Sequence, residues 1–264
     1  MYAFTYNKPT SIDEAAHILQ KSSEGHVLAG GMSLIPTMKL RLSSPGELID
    51  LNGLSDLQGI SRDGNTLTIG AMTRHAEVAA SNEVAGAIPA LTALANGIGD
   101  VQVRNRGTIG GSICFNDPAA DYPAGLVGLG ATILTNKRSI AADEFFIGLY
   151  ETALNEGEIV TAVNFPVPEK AGWSKFPNLA SRFAIVAVMI SASGKNVRVA
   201  VTGARECVFR VKEMEKALEG SFSPDAIAGI NISPDNINDD NHADAEYRAH
   251  LIGIMAKRAV EACG

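Results

Sequence analysis

Two glycine pairs, Gly30-Gly31 and Gly110-Gly111, stand eighty residues apart, each inside a run of small, hydroxylated and apolar side chains. The first run is Leu28-Ala29-Gly30-Gly31-Met32-Ser33-Leu34-Ile35-Pro36. It reads as a strand, His26 to Ala29, feeding a turn, with Ser33 opening a helix that carries Leu34, Met38 and Leu42 at four-residue spacing. Amides at such a helix start attract anions, and glycine lets a backbone come close to a ligand. Ser33 can cap the helix and bond a phosphate oxygen. The bland alternative is a tight strand-to-helix turn with no ligand. The second run, Thr108-Ile109-Gly110-Gly111-Ser112, is followed by Asn116-Asp117-Pro118-Ala119-Ala120-Asp121. Its two carboxylates are suited to sugar hydroxyls, as acidic residues are in nucleotide folds. Alternatively, Asp117 caps a helix that begins at Pro118. Neither run is a Rossmann fingerprint or a P-loop. Two such loops in one chain suggest a long ligand gripped at two places.

The rest of the composition narrows the class. The 264 residues suffice for one large domain or two to three small ones, with a core that needs no disulfide or metal staple. A net charge of -7 argues against a nucleic-acid binder, which needs a basic face, but not against a dinucleotide held by amides. Cys114, Cys207 and Cys263 are too scattered to ligate a cluster or a structural zinc, and suit a reducing cytoplasm. Met1 to Pro9 has no apolar signal core, and the apolar run Ala184 to Ile190 is too short to span a bilayer.

Along the chain, Ser11 to Glu14 forms a capping box for a helix that ends at Gly25. A strand is expected at 47–51, then a hairpin of 57–60 and 66–69 around 62–65. One helix is expected over 83–95 despite Pro89. The segment 97–121 reads as a long ordered loop, followed by a helix or turn at 119–129 and strands at 131–135 and 159–165. Pro166, Pro168 and Gly172 mark a composition break. Beyond it lie a hairpin of 183–191 and 197–202, a helix over 208–218, a polar loop at 234–241 and a closing helix over 243–263. That break is the one domain boundary the residues mark. No pair of the five histidines has metal-ligand spacing. His75 reads as a histidine in polar surroundings. Cys114 reads as a small buried hydrophobe, and Trp173 as a core side chain at the domain junction or an aromatic face beside a ligand.

Taken together, the runs resemble a known family. Ala29 to Arg41, and Gln102 to Ser112 with its continuation to Pro123, are similar to the two FAD-binding motifs in the flavoprotein subunits of molybdenum hydroxylases. The resemblance is strongest to the medium subunit of the aerobic carbon-monoxide-dehydrogenase type, and it covers nearly the whole chain. It implies an α+β fold: a two-lobed FAD-binding domain of the vanillyl-alcohol-oxidase type, with lobes at 1–55 and 56–167, followed by a small C-terminal α/β domain at 168–264. It implies FAD in this chain, with molybdopterin and two-iron two-sulfur clusters in partner subunits. It implies an iron–sulfur small subunit and a molybdopterin large subunit, as a heterotrimer or its dimer, with electrons leaving to an external acceptor.

Residue by residue, the resemblance places Leu28, Ala29, Gly30, Gly31, Met32, Ser33 and Leu34 around the diphosphate. Thr108, Ile109, Gly110, Gly111 and Ser112 come from the other side. Asp121 matches an aspartate that bonds FAD hydroxyls, with Asp117 nearby. Ile159 and Val160 match apolar residues near the flavin or adenine. Trp173 stands where tyrosine is common beside the flavin, and Lys175 matches a lysine at its edge. Met32 replaces a frequent His or Gln, and Asp100 a frequent His. The implied function is electron transfer through FAD. A stand-alone oxidase of the same fold would need a base over the flavin, and none is visible. A scaffold that had lost FAD would have lost the glycine pairs.

Overall fold

A computed structural model describes residues 1–263. Three larger β-sheets, each with its own helices, follow one another along the chain, with a fourth, two-stranded sheet inside the second unit.

The first unit runs β1 (Thr5–Asn7), α1 (Ile12–Lys21), β2 (Gly25–Leu28), α2 (Leu34–Lys39) and β3 (Glu47–Asp50), with a parallel sheet in the order β1-β3-β2. Ser11 caps α1 through its side chain, which accepts from the Glu14 amide. The helix stops at Ser22, and Gly25 begins β2 rather than ending α1. Helix α2 ends at Lys39, short of Leu42, which is exposed.

The second unit is built on an antiparallel sheet in the order β4-β5-β10-β6-β7. Its elements are β4 (Ile60–Asp63), β5 (Thr66–Gly70), α3 (His75–Ala80), α4 (Asn82–Ala87), α5 (Pro89–Asn96), α6 (Val101–Arg104), α7 (Ile109–Phe115) and α8 (Tyr122–Leu129). Then come β6 (Thr132–Thr135), β7 (Ser139–Ala141), α9 (Ala142–Phe145), a small hairpin of β8 (Phe146–Gly148) and β9 (Glu151–Thr152), and β10 (Val160–Pro166). Four expectations are corrected here. The hairpin strand is β4, turning at Gly64-Asn65, while Ser55–Leu57 is a 3-10 turn. The helix expected over 83–95 is two helices, because Pro89 can start α5 but has no N–H with which to continue α4. The loop expected over 97–121 contains two short helices, capped by the side chains of Asp100 and Thr108. Helix α8 starts at Tyr122, not at Pro118.

The third unit is an antiparallel sheet, β11 (Lys170–Pro177), β12 (Ala184–Ser193), β13 (Asn196–Thr202) and β14 (Phe209–Arg210), with α10 (Lys212–Gly220) and α11 (Ala245–Glu261). Strand β11 was not anticipated, because its polar residues hide the alternation. Its Gly172 is required by packing: a Cβ there would lie 1.9 Å from the Ala259 carbonyl of α11. The segment expected as a helix over 208–218 starts as β14. Strand β12 is buried along nearly its whole length, as its continuous apolar run suits. Val186, Val188 and Ile190 enter the core under α11, while Met189 turns to the core of the second unit. The Ser191 hydroxyl, donating to Gly128 O at 2.6 Å, ties β12 to α8. This seating puts β11 across the face of the second unit.

Candidate functional site

After Leu28 the chain leaves the first sheet, and Gly31 takes a φ of +73°, open to glycine at little cost. The Asn52 side chain donates to Ala29 O at 2.8 Å, and is itself held by Asp50 Oδ1 at 2.6 Å. Asp50 Oδ2 accepts from Tyr6 OH at 2.5 Å. The turn is therefore fixed from its strand side. Among the described residues, the amides of Gly30, Gly31, Met32 and Ser33 make no hydrogen bond. Ser33 sits at the start of α2 without capping it, so its hydroxyl is free.

The second run is held differently. Thr108 caps α7, accepting from the Gly111 amide at 3.1 Å. The amides of Ile109 and Gly110 donate to Thr73 O at 3.1 Å and Ala71 O at 2.8 Å, and the His75 amide donates to Gly107 O at 3.0 Å. Residues 71–75 thus zip along the run. That segment was missed in the sequence, which carries no glycine or charge pattern there to mark it.

The two runs meet. A Cβ on Gly30 would lie 2.0 Å from Arg106 O, one on Gly110 would lie 2.7 Å from Ala71 O, and one on Gly111 would lie 3.4 Å from the Ala29 Cβ. Gly30 and Gly110 are therefore small so that backbone can meet backbone, not so that a ligand can approach. This corrects the reason given for them, while keeping both runs in one seam.

Asp121 stands at the entry of α8, buried, with Oδ2 accepting from Lys175 Nζ at 2.6 Å. Lys175 also donates to Gly97 O at 3.0 Å, so the pair clamps the end of α5, the start of α8 and strand β11. Burial pushes the Asp121 carboxyl up to about 6, against the pull of Lys175. Its Oδ1 is buried with no partner. Asp117 accepts from the Ala119 amide at 2.9 Å in a turn, rather than capping a helix, and desolvation raises its carboxyl. It faces a separate cavity of about 650 Å³, shared with Tyr150 and Phe183, that includes neither Asp121 nor the glycine runs.

Trp173 lies two residues before Lys175 on the same face of β11, packed on the second unit's core. Ile159 is buried in the core that backs Ala29, and Val160 is buried in the core of the second unit. Ser112 is half-buried on α7. Burial pushes the Cys114 thiol up to about 12, which removes it as a nucleophile. His75 is not in polar surroundings: it is buried, and burial and Arg104 push it down to about 4. Among the described residues, no group of three His, Cys, Asp or Glu could hold a metal, and no helix is long and apolar enough to cross a membrane.

Comparison with known proteins fits this geometry. Residues 2–168 match the family described as the FAD binding domain in molybdopterin dehydrogenase. The chain is 36% identical over 276 residues to the carbon monoxide dehydrogenase medium chain of Hydrogenophaga pseudoflava, covering 98% of this chain and 96% of that one. It is 34% identical over 271 residues to the glyceraldehyde dehydrogenase medium chain of Sulfolobus acidocaldarius, covering 97% and 96%. Among solved structures, reconstituted CO dehydrogenase from Oligotropha carboxidovorans superposes with a TM-score of 0.90 at 32% identity, covering 99% of this chain and 98% of that one.

Proposed function

The chain belongs to the family of FAD-binding domains in molybdopterin dehydrogenases, as an oxidoreductase medium subunit of the carbon-monoxide-dehydrogenase kind, and from this we propose how its residues hold FAD and what the complex around it does. FAD supplies redox chemistry that accepts electrons singly and releases them in pairs. The residues fit such a group: the first run offers amides with no protein acceptor, and Asp121 offers a buried oxygen with no donor.

In this reading the amides of Gly30 to Ser33, with the Ser33 hydroxyl, hold the diphosphate, flanked by Leu28, Ala29, Met32 and Leu34. The amides of Ile109, Gly110 and Gly111 are already spent. Thr108, Ile109 and Gly110 therefore shape the second wall, and Gly111 and the Ser112 hydroxyl complete it. Asp121 Oδ1 accepts from a sugar or ribityl hydroxyl, while Lys175 orients the carboxylate through Oδ2 and offsets its charge. Trp173 lies beside them and excludes water. Ile159 supports Ala29 from below, Val160 belongs to the adjoining core, and Asp117 belongs to the separate cavity rather than to this site.

The relatives are medium chains, so the chain works within a complex of several subunits. The finer assembly is an iron–sulfur small subunit and a molybdopterin large subunit, as a heterotrimer or its dimer, in the cytoplasm. Electrons arrive from the iron–sulfur clusters and leave to an external acceptor. The three larger sheets and three cores support lobes at 1–55 and 56–167 and a C-terminal domain at 168–264.

The observation that carries this reading is the set of unused amides on the first run where it meets the second, with the unpartnered Asp121 oxygen at the start of the helix that follows as its second support. An absorbance spectrum of the purified chain with and without FAD, followed by heat release, tests it. A flavin band released as free FAD is expected. Absence of any band, with FAD added and partner subunits co-expressed, overturns it.

A further inference from the structure

Seven buried side-chain polar atoms of the described residues have no hydrogen-bond partner, and three of them, His75 Nδ1, Asp121 Oδ1 and Tyr122 OH, belong to residues that follow one another or pack ring on ring. Tyr122 follows Asp121 at the start of α8 and is fully buried. The Asp121 charge raises its phenol, on top of the effect of burial. The His75 ring lies 5.3 Å from the Tyr122 ring, tilted by 43°. His75 also presses on Gly107, the residue before the second run: a Cβ there would come within 2.6 Å of His75 Nε2. Tyr122 and His75 therefore lie in the packing between the start of α8, which carries Asp121, and Gly107, which leads into the second run.

Buried polar atoms without partners are rare, because each loses its water and gains nothing. A phenylalanine would fill the Tyr122 site without that penalty. Local choices that work against stability concentrate where function needs them. We propose that Tyr122 and His75 are positioning residues of the cofactor site: they act through Asp121, keeping its carboxylate in register with the second glycine run, and Tyr122 supplies a hydrogen bond toward it once FAD is bound. The charged and titratable groups around this point are Lys175 on β11, Arg104 on α6 beyond His75, and His75 itself, which burial keeps neutral.

This inference rests on the FAD reading above. Its test is FAD affinity of the purified chain across pH 5 to 8, about one unit either side of ordinary histidine and shifted carboxyl values, alongside the melting temperature without FAD. For Tyr122→Phe we expect an unchanged or raised melting temperature, FAD bound about tenfold more weakly, as for one lost hydrogen bond, and a fall in affinity that begins at higher pH than in the parent. His75→Leu should behave likewise, and His75→Gln should recover part of the affinity. Affinity and pH profile both unchanged in Tyr122→Phe and His75→Leu overturn the inference. So does a melting temperature that drops in step with affinity, the mark of a purely structural role. A parent chain that takes up no FAD overturns the cofactor reading, and this inference with it.

Discussion

Lys175 Nζ lies 2.6 Å from Asp121 Oδ2, and both side chains are nearly closed to solvent, at 8% and 4% exposure. Strand β11 of the third unit is thereby ion-paired to the helix start that follows the second glycine run. Removing one partner of a buried pair leaves an uncompensated charge, at a cost of about 3–5 kcal/mol. Lys175→Met should therefore lower stability at pH 7 by an amount of that order, read by denaturant unfolding, and recover part of it at lower pH as Asp121 takes a proton. A loss under 1 kcal/mol, about that of a surface pair, would show that the pair is solvated.

The Asp121 carboxyl also sets a pH dependence. Its value is raised to about 6 in the folded chain, from an ordinary 3.8. A carboxyl raised by folding binds its proton more tightly in the native state. Its contribution to stability is therefore complete below pH ~4 and lost as pH rises through ~6. The loss is on the order of 3 kcal/mol at one unit per 1.4 kcal/mol. In the chain without FAD, Asp121→Asn should flatten that part of the stability curve between pH 4 and 7. A variant curve parallel to the parent's would remove Asp121 as its source.

Much of the site was legible because its signals are local. The glycine pairs and the acidic residues after the second can each be read within a few residues, and the structure brings Gly30 and Gly111 to one seam and pairs Asp121 with Lys175. What could not be read depends on distant contacts. Gly30 is small because of Arg106, and Gly110 because of Ala71, and no local rule names those neighbours. His75 carries a polar side chain in a polar stretch, yet the ladder to Gly107 buries it. Strand β11 alternates Trp173, Ser174 and Lys175, where a buried lysine breaks the expected pattern. The helix break at Pro89 was legible, but the apolar residues on both sides outweighed it.

The glycine seam makes a paired prediction. Gly30→Ala puts a Cβ into the Arg106 carbonyl, so it should destabilise the chain even without FAD. Gly111→Val has more room, with Thr108 Oγ1 at 3.0 Å and Ala29 Cβ at 3.4 Å from the first added carbon. Its further methyl groups must enter the space between the runs. Gly111→Val should therefore fold with a smaller loss of melting temperature and fail to acquire the flavin band. A full flavin spectrum in Gly111→Val would displace the diphosphate from the second run.

Asn116 ends α7 in the left-handed conformation, with φ of 47°, and is fully buried. Its Nδ2 donates to Gly148 O at 2.8 Å and Glu151 O at 2.9 Å, holding the β8-β9 hairpin against the helix whose other end caps on Thr108. Asparagine meets both demands, tolerating that φ and bridging two carbonyls. Asn116→Gly keeps the first and loses the second, while Asn116→Ala loses both. The buried Gly148 acceptor left without a donor costs about 1–3 kcal/mol, and the partly buried Glu151 acceptor less, so both variants should unfold at lower denaturant, Asn116→Ala at the lowest. Because the lost bonds belong to 146–152, hydrogen exchange should quicken there first and leave the amides of 109–111, bonded to Thr73, Ala71 and Thr108, near parent rates. Equal quickening at both ends of α7 would mean that the helix transmits the change to the cofactor seam, and that Asn116 sets the geometry of the second run as well as the hairpin.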